Sequence, residues 1–585
     1  MHISASCFEQ PDMDLCKERS LSVEKLKSAG KRLRTHRLFQ DPFILFLIIT
    51  SLVVVTVFII YPLFCILKTS IYYKGVFSLE TFKSTLATSG FKVAFWNSMK
   101  LGFGSAITST LVGFIFAYQE AYVASRLKPL YSIVSLLPVI SPPFVLSLSA
   151  ILLLGKRGLI TYSLLHITNA NIYGYGGLIL VQTLAFFPVS AMMFKGLLGN
   201  IDTSLEEAAR DMGASRGKAF FTITIPLLAP GFANSFMLSF IESVTDYSNP
   251  VVIGGGYKTL ASQIYVQAIG NYKLQVGTSV AVILLAVTVV VFLVQRYLMR
   301  SKNYVALTGK ASRERQLITE KRVALPINAI CFLLTLCILL FYVFLILGGF
   351  FKSWGIDYSF SLDSFKYVIS YTGKAIKDTT LIALTSSPIS AVLAMAVAYL
   401  VVRKRFFGRL YLEQSSLLGL AVPGTVFGLG YILAFNSKPL LLTNTWIILV
   451  IVLAMTRLPV GVRSGVASLQ QIDPSIEEAG RDLGGSSNKV FWTITIPLIK
   501  TSFFSGLVFT FIKSMTAISA VIFLVSGKYS LLTTKIMIYV DKGRFGYAAA
   551  AATILIAIVF AVVGIASKAL SKMGVSGDEI MSGLS

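Results

Sequence analysis

Twelve long apolar blocks constrain this chain more than any other feature of its sequence. Each holds roughly 20 mostly apolar residues, the length that an α-helix needs to cross the hydrocarbon core of a bilayer. They lie near residues 44–67, 99–121, 130–154, 175–197, 219–245, 277–299, 325–350, 379–402, 411–436, 440–461, 490–512 and 547–570. With 55% hydrophobic and only 14% charged residues, the chain is too apolar for a soluble domain. The sequence therefore predicts an all-α polytopic membrane protein with about twelve spans.

The blocks fall into two sets of six, separated by a polar stretch rich in lysine and arginine. The expected organisation is a basic N-terminal segment (1–41), a first half (42–299), a linker (300–324), a second half (325–571) and a C-terminal tail (572–585). With twelve crossings, the N-terminal segment, the linker and the basic loop at 402–409 lie on one side, and the positive-inside rule makes that side the cytoplasm. Both termini are therefore expected in the cytoplasm, with the first span retained rather than cleaved as a signal peptide.

The two halves repeat one another. Residues 206–228 and 477–499 agree at 15 of 23 positions, and further matches such as Pro188 with Pro459 keep the same offset of 271 residues. Upstream the offset becomes 281, as for Ala117-Tyr118 and Ala398-Tyr399. Two halves with an even number of spans form a parallel repeat about an axis along the membrane normal, an arrangement that encloses a pathway.

Each copy of the repeated stretch predicts a short polar helix on the cytoplasmic side, called here a repeat helix. A serine followed three residues later by glutamate predicts a capping box, and a glycine predicts a left-handed stop before a second helix starts. The predicted start, stop and restart are Ser204, Gly213 and Ser215 in the first copy, and Ser475, Gly484 and Ser486 in the second. A single such loop could simply connect two spans. Two near-copies in equivalent loops indicate that a partner docks on them.

Composition and motifs exclude several other functions. A net charge of +25 could indicate nucleic-acid binding, but the basic residues are scattered between apolar blocks and no nucleic-acid motif accompanies them. The five cysteines and three histidines show neither metal-ligand spacing nor a catalytic constellation. The phosphate-binding pattern G-x-x-x-x-G-K-[ST] does not occur. The sequence therefore predicts no catalytic residue, no metal site and no cofactor in this chain.

The repeated stretch resembles the signature of inner-membrane permeases of ATP-binding-cassette importers: Glu-Ala-Ala, three residues, Gly, nine residues, Ile-x-Leu-Pro. The signature maps onto Glu207, Ala208, Ala209, Gly213, Ile223 and Pro226 in the first copy, and onto Glu478, Ala479, Gly484, Ile494 and Pro497 in the second, where Gly480 replaces an alanine. Glu206 and Glu477, which precede the signature, are expected to belong to the same docking helices. The resemblance implies a bacterial inner-membrane protein that docks two copies of an ATPase subunit, which carry the ATP and Mg²⁺. It also implies an extracytoplasmic substrate-binding protein as a partner.

The resemblance also bears on the substrate. Two permease halves fused in one chain are similar to the iron(III)-uptake and thiamine-uptake branches of the family, and residues 242–265 look most like the iron(III) branch. Thiamine, polyamine, phosphonate and sugar phosphate stay open as substrates. An ion-coupled secondary transporter is a remoter alternative, since it would have no reason to keep two docking helices.

Three charged residues near the outer ends of the fifth spans are candidates for the pathway or its gate. Glu242 and Asp246 are expected to share one helix face, and Lys513 is the repeat equivalent of Glu242. A charge near hydrocarbon is expensive and by default functional, although hydration at headgroup level would also explain the acidic pair. Glu242 and Lys513 are expected to pair across the axis when the pathway is shut. The glycine-rich run at 423–430 is interpreted as close helix packing in preference to a pore lining.

Overall fold

The structure is a bundle of long α-helices, as the apolar blocks predicted. The computed structural model describes residues 41–73, 76–167, 169–301 and 317–572. Within these residues, ten helices are long and apolar enough to cross a membrane, or up to twelve if each of two bent helix pairs counts as one span. The predicted all-α, polytopic fold is confirmed. Almost all of the N-terminal segment and of the C-terminal tail, and most of the linker, lie outside the described residues.

Five of the six spans of the first half follow the predicted blocks, whereas the third, predicted near 130–154, begins only at Phe144 and ends at Leu164. They are Pro42–Ile71, Ser89–Tyr122, Phe144–Leu164, Tyr175–Gly199, Arg216–Thr245 and Leu274–Leu298. A shorter apolar helix, Lys128–Ile140, precedes the third span. Six spans therefore carry the first half across the membrane.

The second half repeats this order. Its spans are Lys321–Phe350, Asp363–Arg403, Arg409–Leu420 with Gly424–Phe435, Trp446–Gln470, Ser487–Leu498 with Lys500–Met515, and Phe545–Lys572. The first begins at Lys321 rather than at residue 325. Asp363–Arg403 has 41 residues and is about 60 Å long, twice the thickness of the hydrocarbon core. The apolar block at 379–402 therefore marked only the membrane-embedded part of this helix.

The third apolar block of each half, near 130–154 and near 411–436, is broken at proline into two helices. In the first half the break is Ser141–Pro143, between two helices. In the second half the chain bends by 116° between Leu420 and Gly424, next to Pro423. Proline lacks an N–H and restricts the residue before it, which ends a helix. Pro142 and Pro423 are repeat equivalents, so the break is common to both halves.

The fifth spans differ from each other. Despite its two prolines, Arg216–Thr245 is one span, which passes through a π-helical segment at Phe220–Thr224. Its counterpart in the second half, predicted near 490–512, is bent by 77° between Leu498 and Lys500. The repeat therefore fixes the position of the fifth spans but not their shape.

The first span of each half packs against the third span of the other half. In one crossing, the Tyr431 hydroxyl donates a hydrogen bond of 2.7 Å to the Phe58 carbonyl. A Cβ at Gly430 would lie 3.0 Å from the Pro62 carbonyl oxygen, so only glycine allows this approach without a shift. The predicted close packing of the glycine-rich run is confirmed.

The reciprocal crossing is polar as well as apolar. The hydroxyls of Ser141 and Tyr342 share a hydrogen bond, and the indole Nε1 of Trp354 donates one of 2.9 Å to the Leu152 carbonyl. Because each half contributes its first span to the other, the two halves are interlocked.

Two short antiparallel hairpins follow the first spans. One joins Tyr72–Tyr73 to Val76–Phe77, and the other joins Phe351–Ser353 to Asp357–Phe360. They lie at the end of the bundle opposite the repeat helices.

Candidate coupling surface and pathway site

The first repeat helix is Thr203–Asp211, and an aspartate caps it. The Ser204 backbone N–H donates a hydrogen bond of 2.9 Å to Asp202 Oδ1, and this bond holds the pKa of the carboxyl below its ordinary value. The predicted capping box of Ser204 with Glu207 is therefore wrong. Asp202 lies two residues before Ser204 and accepts from the Ser204 N–H, one of the backbone amides at a helix start that have no partner within the helix.

The second repeat helix, Ser475–Asp482, begins directly after Pro474, one position later in the repeat than the first. The Ser475 N–H donates a hydrogen bond of 2.9 Å to Asp473 Oδ1, and this bond lowers the pKa of that carboxyl. The capping box predicted for Ser475 and Glu478 is thus also wrong, because an aspartate accepts from the serine N–H instead. Proline at position 474 suits this start, because its missing N–H would be unsatisfied there anyway.

Both repeat helices end as predicted. Gly213 has a φ of +86° and Gly484 a φ of +85°, so each is in the left-handed conformation that favours glycine. The next helix begins at Ser215 or Ser486, whose hydroxyl accepts a hydrogen bond from the backbone N–H three residues later. The two loops therefore have the same backbone course.

The glutamate that precedes each signature points inward and binds the second span of its own half. Glu206 accepts hydrogen bonds from the Tyr122 hydroxyl and from Thr224 Oγ1. Glu477 forms an ion pair of 3.0 Å with Arg403, and both side chains are buried. The 281-residue offset makes the tyrosine and the arginine repeat equivalents. Each half therefore connects its repeat helix to its second span at an equivalent residue. In the first half the donor is the neutral Tyr122 hydroxyl, and in the second half it is the charged Arg403 guanidinium.

The outer surface of each repeat helix is apolar at two places. Met212 is 83% exposed and its equivalent, Leu483, is 89% exposed. Leu205 and Ile476, also equivalent, are half-exposed. The sequence analysis missed these residues. An apolar residue kept at the same place in two polar helices was the signal that could have revealed them.

The other predicted docking residues lie partly on the exposed face and partly on the buried face of the repeat helices. Ala208, Ala479 and Glu478 are exposed, and Ala209 is buried. At the position equivalent to Ala209, a Cβ on Gly480 would lie 2.5 Å from the end of the Ile494 side chain. The isoleucine therefore fills the space that the alanine methyl occupies in the first copy.

The charged pathway candidates come near one another but do not form the predicted pair. Glu242 interacts electrostatically with Lys513 and with Arg457, a residue that the sequence analysis missed. Among the described residues, no ion pair joins Glu242 to Lys513. Instead the Lys513 ammonium donates a hydrogen bond of 3.4 Å to the Val139 carbonyl of the first half. A basic residue inside the fourth apolar block of the second half was the signal for Arg457.

Asp246 also interacts electrostatically with Glu242, but the two residues do not share a helix face. The fifth span ends at the residue before it, and its backbone is extended. Its carboxylate is buried and accepts hydrogen bonds from the side-chain amides of Gln182 (2.9 Å) and Asn249 (2.7 Å) and from the Ser248 N–H (2.9 Å). Asp246 therefore holds the chain where it leaves the fifth span.

Comparison with known proteins places the chain in a family. The model of the binding-protein-dependent transport system inner membrane component matches residues 109–304 and again 387–573. The ferric transport system permease protein FbpB of Actinobacillus pleuropneumoniae is 34% identical over 89% of this chain and 78% of its own length. The Fe(3+)-transport system permease protein FbpB 2 of Haemophilus influenzae is 23% identical over 66% of this chain and 74% of its own length. The sulfate transport system permease protein CysT of Salmonella typhimurium is 31% identical over 30% of this chain and 68% of its own length.

Two matched domains, one in each half, agree with the internal repeat and with the duplicated helices. The chain belongs to the family of binding-protein-dependent transport system inner membrane components, whose domain it contains twice.

Proposed function

We propose that this chain forms the transmembrane pathway of an iron(III) importer in a bacterial inner membrane. The observation that carries the choice of substrate is the 34% identity over 89% of the chain to a permease named for ferric transport. An extracytoplasmic binding protein delivers the iron to the end opposite the repeat helices. Both termini and both repeat helices then face the cytoplasm, in agreement with the basic segments on that side.

Two ATPase subunits drive the transport, one on each repeat helix. The exposed apolar residues Met212 and Leu483 are of the kind that anchors a protein interface, and each stands beside exposed polar side chains. The partner's movement passes inward through Glu206 and Glu477, since these are the residues bound to the second spans. The sequence has no phosphate-binding loop, so ATP and Mg²⁺ bind to the partner and not to this chain.

The coupling surface is tested by charge reversal on both repeat helices. Glu207→Lys combined with Glu478→Lys should prevent co-purification of the ATPase while the permease still reaches the membrane. Glu80→Lys, an exposed glutamate at the opposite end of the bundle, is the matched control and should retain the ATPase. An ATPase that stays bound to the double variant contradicts the docking assignment.

The substrate is tested in vesicles that contain the chain and its ATPase and receive the loaded binding protein. Radiolabelled iron should enter only with ATP, whereas labelled thiamine and putrescine should not. Uptake of either of these instead of iron contradicts the assignment.

A second candidate function is the import of an oxyanion. The observation that favours it is the 31% identity to a sulfate permease over 30% of the chain. Labelled sulfate added to the same vesicles tests this candidate.

A further inference from the structure

A network of buried hydrogen bonds joins three spans of the first half at the end opposite the repeat helices. The Asp246 carboxylate, directly after the fifth span, accepts a hydrogen bond of 2.9 Å from Gln182 Nε2 of the fourth span. Gln182 Oε1 in turn accepts hydrogen bonds from Ser105 Oγ of the second span (2.7 Å) and Ser243 Oγ of the fifth span (2.6 Å). Asp246 is only 8% exposed, and Gln182 is fully buried. The second, fourth and fifth spans are therefore connected through one carboxylate.

The same carboxylate holds a short helix, Ser248–Ile253, that follows the fifth span. The backbone N–H groups of Ser248 (2.9 Å) and Asn249 (3.3 Å) donate hydrogen bonds to Asp246 Oδ1. The side-chain amide of Asn249 donates a hydrogen bond of 2.7 Å to Asp246 Oδ2. Its oxygen accepts a hydrogen bond of 2.7 Å from Ser147 Oγ of the third span. The short helix is thus fixed to four spans of its half.

Among the described residues of the second half there is no such network, although this half repeats the first. The residues equivalent to Asp246, Gln182 and Asn249 are Ala517, Leu453 and Ala520. None of these three side chains can donate or accept a hydrogen bond. A buried polar network in which every member has a partner makes its surroundings rigid. The first half therefore has a rigid connection at a place where the second half has apolar side chains.

The short helix forms one wall of a cavity between the two halves. The cavity has a volume of about 180 Å³, and Val251 and Val252 of the short helix line it. Met537, Val540 and Phe545 line it from the second half. The shape of the cavity therefore depends on where the short helix is held.

We propose that Asp246 is a positioning residue for transport, which fixes the short helix so that the cavity can receive the substrate from the binding protein. This inference rests on the proposed function, which makes this end of the bundle the side where the substrate arrives. Asp246 does not bind the substrate itself, because four hydrogen bonds already occupy the acceptor sites of its two oxygens. Transport therefore needs the hydrogen bonds of this carboxylate and not its charge.

Two variants of Asp246 separate the hydrogen bonds from the charge. Asp246→Asn keeps an oxygen for the two backbone N–H groups. Its amide can donate, because Gln182 and Asn249 can turn their own oxygens towards it while the serine hydroxyls accept. Asp246→Ala instead leaves both side-chain amides without this partner.

The readout is the concentration of loaded binding protein that half-maximally stimulates ATP hydrolysis in vesicles that hold the chain and its ATPase. We expect Asp246→Ala to raise this concentration roughly fivefold or more with a smaller effect on the maximal rate, and Asp246→Asn to leave it within about twofold of the parent. An asparagine variant as impaired as the alanine variant overturns the proposal, because the charge is then what matters. An alanine variant with the parent's value overturns it as well.

Amide hydrogen exchange of the purified chain tests the position of the short helix without any partner. Asp246→Ala combined with Gln182→Leu and Asn249→Ala copies the second half and leaves no side-chain amide of the network buried without a partner, so the chain should still fold. Exchange in Ser248–Ile253 should become about tenfold faster or more in this triple variant. Ser149→Ala removes a hydroxyl that bonds within its own helix, and as the control it should leave this exchange unchanged. Parent-like exchange in the triple variant overturns the proposal. Parent vesicles that take up no labelled iron contradict the proposed substrate but not this inference, since hydrogen exchange is measured without iron.

Discussion

Arg403 Nε lies 3.0 Å from Glu477 Oε1, and this buried ion pair joins the second repeat helix to the second span of its half. A further hydrogen bond of 2.8 Å runs from Arg403 Nη2 to the Ile472 carbonyl, just before the helix begins. In the other half, Tyr122 and Glu206 make the equivalent contact without a positive charge. The same connection is therefore built with two different chemistries.

Replacing Arg403 should strongly destabilise the folded protein. Arg403→Met leaves the Glu477 carboxylate buried without its partner, and breaking one side of a buried pair costs about 3–5 kcal/mol. We expect a clear fall in the thermal unfolding midpoint of the purified protein. Arg403→Tyr copies the first half and should recover much of the loss, and Arg405→Met, which removes an exposed charge, should change little. Equal midpoints for Arg403→Met and Arg405→Met would show that the pair is not needed.

The left-handed conformation of Gly213 leads to a second prediction, about the stability of the first repeat helix. Gly213→Ala forces a Cβ into a conformation that costs roughly 1–2 kcal/mol, although no atom lies within 4 Å to clash with it. Amide hydrogen exchange in Thr203–Asp211 should speed up by about 5- to 30-fold. Gly217→Ala, also in open space but helical, is the control and should not speed exchange. Similar exchange in both variants would contradict the strain argument.

The exposed apolar residues should govern affinity for the ATPase. Met212→Asp and Leu483→Asp are each expected to weaken binding by about 2 kcal/mol or more, roughly 30-fold, if they are interface anchors. Titration of the ATPase against the purified permease measures this. Leu164→Asp changes a residue that is 70% exposed at the opposite end, and it should leave the affinity unchanged. Unchanged affinity in both repeat-helix variants would place the interface elsewhere.

The stability of the folded protein should depend on pH through Lys404. Burial beside Arg481 lowers the pKa of Lys404 to about 8, from an ordinary value of 10.5. Between these pH values the unfolded chain binds more protons than the folded one, so this group's contribution to stability rises with pH. Lys404→Met should raise the unfolding midpoint at pH 7, and its advantage over the parent should shrink by pH 10. An advantage that is constant across this range would contradict the assignment.

A fifth prediction is that Glu242 and Lys513, which interact electrostatically without forming an ion pair here, pair as a gate in another state of the transport cycle. Glu242→Gln or Lys513→Gln alone is expected to cut transport or to raise futile ATP hydrolysis. Glu242→Lys combined with Lys513→Glu should restore part of what either reversal loses. A double-mutant cycle in reconstituted vesicles measures the coupling. Strictly additive losses would leave no role for the pair as a gate.

Local patterns in the sequence were enough to predict most of the spans, the repeat and the left-handed glycines Gly213 and Gly484. Apolar length sets where a helix can cross a bilayer, and a left-handed stop needs glycine whatever surrounds it. The breaks at Pro142 and Pro423 could also have been read locally, because proline ends a helix through its own backbone. The roles of Asp202 and Asp473 were missed because the serine two residues later also fits the pattern of a helix start, and only geometry shows that the aspartate accepts from the serine N–H.

The sequence by itself determined that this chain is a duplicated bundle of membrane helices with two equivalent polar helices, because length, period and repetition are properties of order along the chain. Only the tertiary structure decided which charges meet. Arg403 reaches Glu477 across 74 residues, and Arg457 interacts electrostatically with Glu242 of the other half. Only the tertiary structure, too, showed that the first span of each half packs against the third span of the other half. Such contacts depend on packing directions that no local pattern encodes, since helices that look alike in sequence can turn different faces to their neighbours.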